Sequence, residues 1–164
     1  VQIPLFNERH VVARAVAAAV AIDWPRDRLE IQVLDDSEDE TTEIARHEVE
    51  RQRERGHNVV LLHRTHRAGY KAGALEAGLA QSDAPFVAVL DADFVPPRNF
   101  LKACMAPLLT DHRLGYVQAR WGHLNAGRSV LTRLQGLMLD THFLIEQLGR
   151  FASGIVMPFN GTCG

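Results

Sequence analysis

Asp91 and Asp93, separated by one alanine, are the residues whose type and spacing most directly suggest chemistry. On an extended backbone, side chains two apart point the same way, so both carboxylates would face one spot. Two hard oxygen donors suit Mg²⁺ or Mn²⁺ when substrate phosphates complete the shell. The same pair also suits a polar turn in which the aspartates cap the next helix. On the motif alone both readings stand, and the surroundings decide.

Asp35-Asp36-Ser37 follows another apolar run and precedes a helical segment. It suits N-capping, or acceptance of hydrogen bonds from a base or ribose. Lys71 lies in Gly69-Tyr-Lys-Ala-Gly73, where a helix is expected to begin, and it is one of only two lysines. A lysine at such a terminus, with glycines allowing close backbone approach, suits a diphosphate; otherwise it is simply solvated. Trp121, after Gln118-Ala-Arg120, has the shape to stack on a sugar ring or to fill a part-buried core position. His142 and Glu146, at i, i+4 spacing, read as a surface pair before they read as metal ligands. Arg51, Arg53 and Arg55 read as a solvated helix face, not a nucleic-acid patch.

The elements that must position these residues alternate along the chain. Strands are expected over residues 1–5, 29–34, 59–62 and 86–90, with further ones over 116–121 and 155–159. Helices are expected over 11–22, 41–55, 72–79, 99–109 and 129–148, the last with Val130, Leu134, Leu137, Ile145 and Leu148 along one face. Alternating strands and helices imply an α/β fold with an open, mostly parallel sheet covered on both faces. In such sheets ligands bind at the carboxyl ends of the strands. Those ends here carry Phe6-Asn-Glu8, Asp35-Asp36, the loop 63–71 and Asp91-Ala-Asp93. The glycine-rich dinucleotide fingerprint and the P-loop pattern are both missing, which argues against NAD and ATPase chemistry.

A composition of 46% hydrophobic and 23% charged residues is that of a globular domain. Twenty acidic against eighteen basic residues give no reason to expect nucleic acid as a partner. Cys104 and Cys163 are too few for a disulfide framework, so a reducing compartment fits. No apolar run reaches the ~18 residues needed to span a bilayer. Val1 opens inside a strand pattern and residues 160–164 read as a loop leaving one, so the chain is expected to be truncated at both ends.

Taken in order, six segments resemble the family 2 inverting glycosyltransferases, and above all the processive membrane β-glycan synthases, cellulose synthase and its mannan and glucomannan synthase relatives. They are Gln2-Ile-Pro-Leu-Phe-Asn-Glu8, Val33-Leu-Asp-Asp-Ser37, Gly69-Tyr-Lys-Ala-Gly-Ala-Leu75, Asp91-Ala-Asp-Phe94, Val117-Gln-Ala-Arg-Trp121 and Phe159-Asn-Gly-Thr162. The third, fifth and sixth look closer to the mannan-synthase-like branch. The resemblance implies a single GT-A (Rossmann-like) domain over residues 1–164. The implied reaction is transfer of a hexose from UDP-glucose or GDP-mannose to a growing β-glycan.

By the same resemblance, Phe6, Glu8 and Asp36 would hold the base and ribose, with Asp35 adjacent, and Lys71 would contact the diphosphate. Asp91 and Asp93 match the D-x-D motif, which binds Mg²⁺ or Mn²⁺ and the diphosphate. Phe159, Asn160, Gly161 and Thr162 would line the acceptor end, with Gln118 and Trp121 near the donor sugar or acceptor. The resemblance also implies that the general base, an Asp or Glu of a T-E-D-type motif, and the Q-x-x-R-W acceptor motif lie beyond Gly164; Gln118-Ala-Arg-Trp121 has one residue too few between Gln and Arg to be the latter. The full-length protein is expected to be membrane-embedded through segments outside this chain, with this domain on the cytoplasmic face. Competing readings are a non-processive transferase adding one sugar to a lipid or protein, and a non-catalytic nucleotide-sugar-binding module. A receiver-type signalling domain is disfavoured, since Lys71 precedes Asp91.

Overall fold

Three short strands pair in parallel to make the sheet: β1 (Gln2–Leu5), β2 (Ile31–Asp35) and β3 (Val59–His63), in the order β1-β2-β3. Leu5 lies opposite Asp35, and Asp35 opposite His63, so the three strands finish at one edge. The computed structural model describes all 164 residues and divides into two compact units, Val1–Val117 with Gly164, and Gln118–Cys163. The sheet belongs to the first.

Period-two alternation separates the two faces of the sheet. Ile3, Leu5, Ile31, Val33 and Val59 pack with Val12, Val16 and Ala19 of α1 (Val12–Val20) and with Ala45 and Val49 of α2 (Thr41–Glu54). Each fully buried Val or Ile side chain there contributes about 1.5–3 kcal/mol, so this face anchors the sheet. The opposite face carries Gln2 and Gln32, both buried beneath α3 (Tyr70–Leu79). Gln2 Nε2 donates to Gln32 Oε1 at 2.9 Å and to the Leu75 carbonyl at 3.2 Å, and Gln32 Nε2 donates to the Gly78 carbonyl at 3.0 Å. These bonds satisfy amides that would otherwise be costly to bury. Helices therefore cover both faces, as the alternation predicts.

The expected fourth strand is a correction. Residues 86–90 run beside β1, but only Val89 forms a bridge, opposite Gln2. The Gln2 amide donates to the Ala88 carbonyl at 2.8 Å and the Leu90 amide to the Gln2 carbonyl at 3.0 Å. The next residue of β1 facing that side is Pro4, which has no N–H, so the ladder cannot extend. The chain then bends, with the Phe94 amide bonded to the Asp91 carbonyl at 3.0 Å. Asp91 and Asp93 thus occupy a turn and not the extended backbone expected for them. A short 3₁₀ turn (Arg26–Arg28) and α4 (Phe100–Thr110) complete the unit.

The smaller unit is built on one helical run. Ser129 caps α5 (Val130–Thr141) through a reciprocal pair with Thr132, at 3.1 and 2.9 Å. The run continues as a π-helical stretch, His142–Gln147, into α6 (Leu148–Ala152), so it ends four residues later than expected. Gln147 meets His142 five residues back at 3.1 Å, the spacing a π turn brings together. Leu134, Leu137 and Ile145 of the expected apolar face are exposed in this unit. Residues 116–121 and 155–159 do not form the expected strands. The Ala119 amide bonds the Cys163 carbonyl at 2.8 Å, but no ladder follows, and Ile155 and Val156 remain exposed without a sheet to bury them.

Candidate functional site

The ends of the three strands and of the bridged segment bring four charged loops to one edge of the larger unit. Asn7, with a left-handed φ of 56°, ties the first two loops: its amide donates to Ser37 Oγ at 2.9 Å, and its Oδ1 accepts from the Glu38 amide at 2.9 Å. Asp35 is fully buried, and its carboxylate accepts from the Ser37 amide at 3.0 Å, Thr42 Oγ1 at 2.7 Å and His63 Nδ1 at 2.9 Å. That carboxylate holds the loop together from inside. Neither Asp35 nor Asp36 caps α2; the Thr41 amide donates instead to Asp39 at 2.9 Å.

Asp36 is held by Arg64, whose Nε and Nη2 donate to its two oxygens at 2.7 and 2.6 Å. The same guanidinium reaches the carbonyls of Ala68 at 3.2 Å and Tyr70 at 3.1 Å, so it links the acidic loop to the turn that opens α3. Arg67 approaches Asp36 at 4.0 Å and lies over the Phe6 ring, 3.4 Å from its centroid. Sequence reasoning missed both arginines. The available signal was their place just past β3, whose end is in register with Asp35.

Gly69 adopts a left-handed φ of 72°, and its carbonyl accepts from the Gly73 amide at 3.0 Å. A Cβ on Gly73 would sit 2.1 Å from the Ala68 carbonyl oxygen, so only glycine permits this tight entry into α3. The entry delivers Lys71, which pairs with Asp91. Ala92 is buried in the core cluster between the two aspartates, which leaves Asp91 part-exposed and Asp93 exposed. Glu8 completes the group. Its carboxyl is pushed above the usual glutamate range, first by burial and then by Asp93 and Asp91, with Lys71 pulling the other way. Glu8 Oε2 is buried with no hydrogen-bond partner.

Phe6, Glu8, Asp36, Lys71, Asp91 and Asp93 therefore share one edge, while Asp35 supports it from below. No three His, Cys, Asp or Glu side chains form a ready-made metal cluster. The donor set at Asp91 and Asp93 is two hard carboxylates in a charged, part-exposed turn. That chemistry fits Mg²⁺ or Mn²⁺ bound with ligands supplied by phosphate and water.

The remaining candidates lie in the smaller unit. Trp121 packs edge-on against Phe143, with centroids 5.5 Å apart. The Asn160 amide donates to Gln118 Oε1 at 2.7 Å, and Gln147 Nε2 donates to Asn160 Oδ1 at 3.3 Å. Gly161 takes a left-handed φ of 82°, Thr162 is buried and Phe159 is exposed. Gln118 and Asn160 are thus brought together, next to the helical run. His142 and Glu146 form an exposed pair at 3.0 Å, in keeping with the surface reading.

Comparison with known proteins places this architecture among described families. The family described as "Glycosyl transferase family 2" matches residues 1–160. Glucomannan 4-beta-mannosyltransferase 7 of Arabidopsis thaliana is 42% identical across the whole chain, which covers 30% of that protein. Glucomannan 4-beta-mannosyltransferase 1 of Oryza sativa subsp. japonica is 41% identical, again across the whole chain and 32% of the relative. The chain thus spans about a third of the length of these curated relatives. Among solved structures, a mannosyltransferase from Pyrobaculum calidifontis in complex with GDP-Man and Mn²⁺ aligns with a TM-score of 0.56 and 30% identity, over 61% of this chain and 29% of that one. TarS of S. aureus shares the fold, with a TM-score of 0.62 at 24% identity over 79% of this chain and 22% of its own.

Proposed function

Because the chain belongs to glycosyl transferase family 2, we propose that the protein carrying it moves a hexose from a nucleoside-diphosphate sugar to a growing β-glycan, with inversion. The observation that carries this reading is the convergence of charge at one sheet edge. Lys71 pairs with Asp91, and Glu8 feels both Asp91 and Asp93. A cation and a dense set of carboxylates beside the ends of parallel strands are what a metal-bound diphosphate requires. GDP-mannose is the favoured donor over UDP-glucose, supported by relatives named as glucomannan mannosyltransferases and by a structural neighbour solved with GDP-Man and Mn²⁺.

In this reading Phe6 stacks on the base, with Asp36 and Glu8 on the base and ribose side, and Lys71 meets the diphosphate. Asp91 and Asp93 would hold Mg²⁺ or Mn²⁺, which when bound supplies positive charge to the departing diphosphate. Lys71 adds to that charge, stabilising the leaving group as the anomeric C–O bond breaks. The acceptor hydroxyl forms the new bond as a general base beyond Gly164 takes its proton. Trp121 and residues Phe159, Asn160, Gly161 and Thr162 serve the acceptor side. Membrane embedding through segments outside this chain, with the donor site on the cytoplasmic face, completes the proposal. No helix here is itself long and apolar enough to cross a membrane.

Supplying the full-length protein with GDP-mannose or UDP-glucose, Mn²⁺ and a β-glycan oligomer tests the reading. A lengthened β-linked product from GDP-mannose is the expected result. Release of nucleotide without sugar transfer, or an α-linked product, would overturn it.

A further inference from the structure

The ring of Phe6 is already covered. The Arg67 guanidinium lies 3.4 Å from its centroid, the separation of stacked flat groups, and 5.2 Å from the centroid of Tyr70. Tyr70 is 68% exposed and sits at a left-handed φ of 50°, unusual for a bulky residue. Two aromatic rings, one of them held out into solvent, thus flank a planar cation at the strand edge. A guanidinium has the flatness of a nucleobase and is drawn to ring faces.

Arg67 is weakly held by everything except the rings. Its Nε is buried with no hydrogen-bond partner, and its nearest carboxylate, Asp36, is 4.0 Å away. Asp36 does not depend on it, because Arg64 already takes both of its oxygens at 2.7 and 2.6 Å. Removing Arg67 from this position therefore leaves no buried carboxylate uncompensated. The two arginines of one loop differ in kind: Arg64 is fixed by four hydrogen bonds, and Arg67 rests on the Phe6 and Tyr70 rings with its side chain 35% exposed.

We propose that Arg67 is a base-mimicking occupant of the Phe6–Tyr70 platform, which a nucleotide base must displace in order to stack on Phe6. This rests on the reading of Phe6 as the base contact. The occupant lowers the apparent affinity for every base by the fraction of time it covers the ring. It keeps an aromatic surface shielded until a base arrives and guards against weak apolar ligands.

The test uses the full-length protein and two kinds of probe. GDP and UDP with Mn²⁺ report whether the donor site exists; guanosine and uridine, which carry no phosphate, report on the platform alone. Arg67→Ala is expected to tighten nucleoside binding about 3- to 10-fold, the range set by one cation–π contact. Arg67→Lys, which keeps the charge but not the plane, is expected to tighten it by less. Phe6→Ala is expected to weaken it. Nucleoside binding that weakens or stays the same in Arg67→Ala overturns the proposal, since Arg67 would then be a base contact or a bystander. Failure of the unsubstituted protein to bind either diphosphate overturns the donor-site reading itself, and with it the role assigned to Phe6.

Discussion

Arg64 grips both oxygens of Asp36, at 2.7 and 2.6 Å, and so joins the end of β2 to the loop beyond β3. Asp36 is almost wholly buried and Arg64 is only 20% exposed, so this is an interior pair and not a surface one. Breaking such a pair from one side leaves a charge with no compensation. Arg64→Ala is expected to cost about 3 kcal/mol in stability, read as a fall in the denaturation midpoint. Adding Asp36→Asn should recover part of the loss, because the stranded charge is then gone. Additive losses in the double variant would show that the two residues are not coupled.

The entry into α3 makes a second prediction. A Cβ at Gly73 would meet the Ala68 carbonyl oxygen at 2.1 Å, a backbone atom that cannot rotate away. Gly73→Ala should therefore destabilise the protein by about 1–3 kcal/mol and displace the turn that delivers Lys71. At Gly115 a Cβ would meet nothing within 4 Å, so Gly115→Ala is the matched control and should be near neutral. Equal stabilities of the two variants would contradict the packing described for residues 68–73.

Glu8 gives a pH signature. Burial, then Asp93 and Asp91, raise its carboxyl above the ordinary value of 4.5, so the folded state holds this proton more tightly than the unfolded chain. Between the two values the native state binds more protons, and its stability falls as pH rises through that window. Glu8→Gln lacks this loss. The stability of the variant relative to the unsubstituted protein should rise from about pH 4.5 until Glu8 is fully ionised, then level off. A difference that does not change with pH across that range would contradict the placement of Glu8 among the aspartates.

Much of this arrangement is legible in the amino-acid sequence. The alternation of Ile31 and Val33 with Gln32, and the spacing of Val12, Val16 and Ala19, specify which faces meet, because burial rewards only one register. The acidic ends of β1 and β2 follow from that topology. The fourth strand was misread because its apolar run looks complete by itself. Its limit lies in a neighbour, Pro4, which cannot donate to it. Asp91 and Asp93 come to the expected edge by a turn around buried Ala92, not by strand alternation. The place of Arg64 and Arg67 just past β3 is legible, but their partners are not, for a related reason. A charged loop residue declares its partner only once the strands on either side are in register. In the smaller unit the apolar runs suggested strands, but burial there depends on partners that a local pattern does not name.

The central claim is that Asp91, Asp93 and Lys71 form a metal-dependent nucleoside-diphosphate site. Calorimetric titration of GDP into the full-length protein, with and without Mn²⁺ and alongside Asp93→Ala, tests it most directly. The account predicts binding that requires Mn²⁺ and weakens roughly tenfold or more in the variant, whose leaving-group site has lost one of its two carboxylate ligands. GDP binding of equal strength without Mn²⁺, or in a folded Asp93→Ala protein, would contradict it.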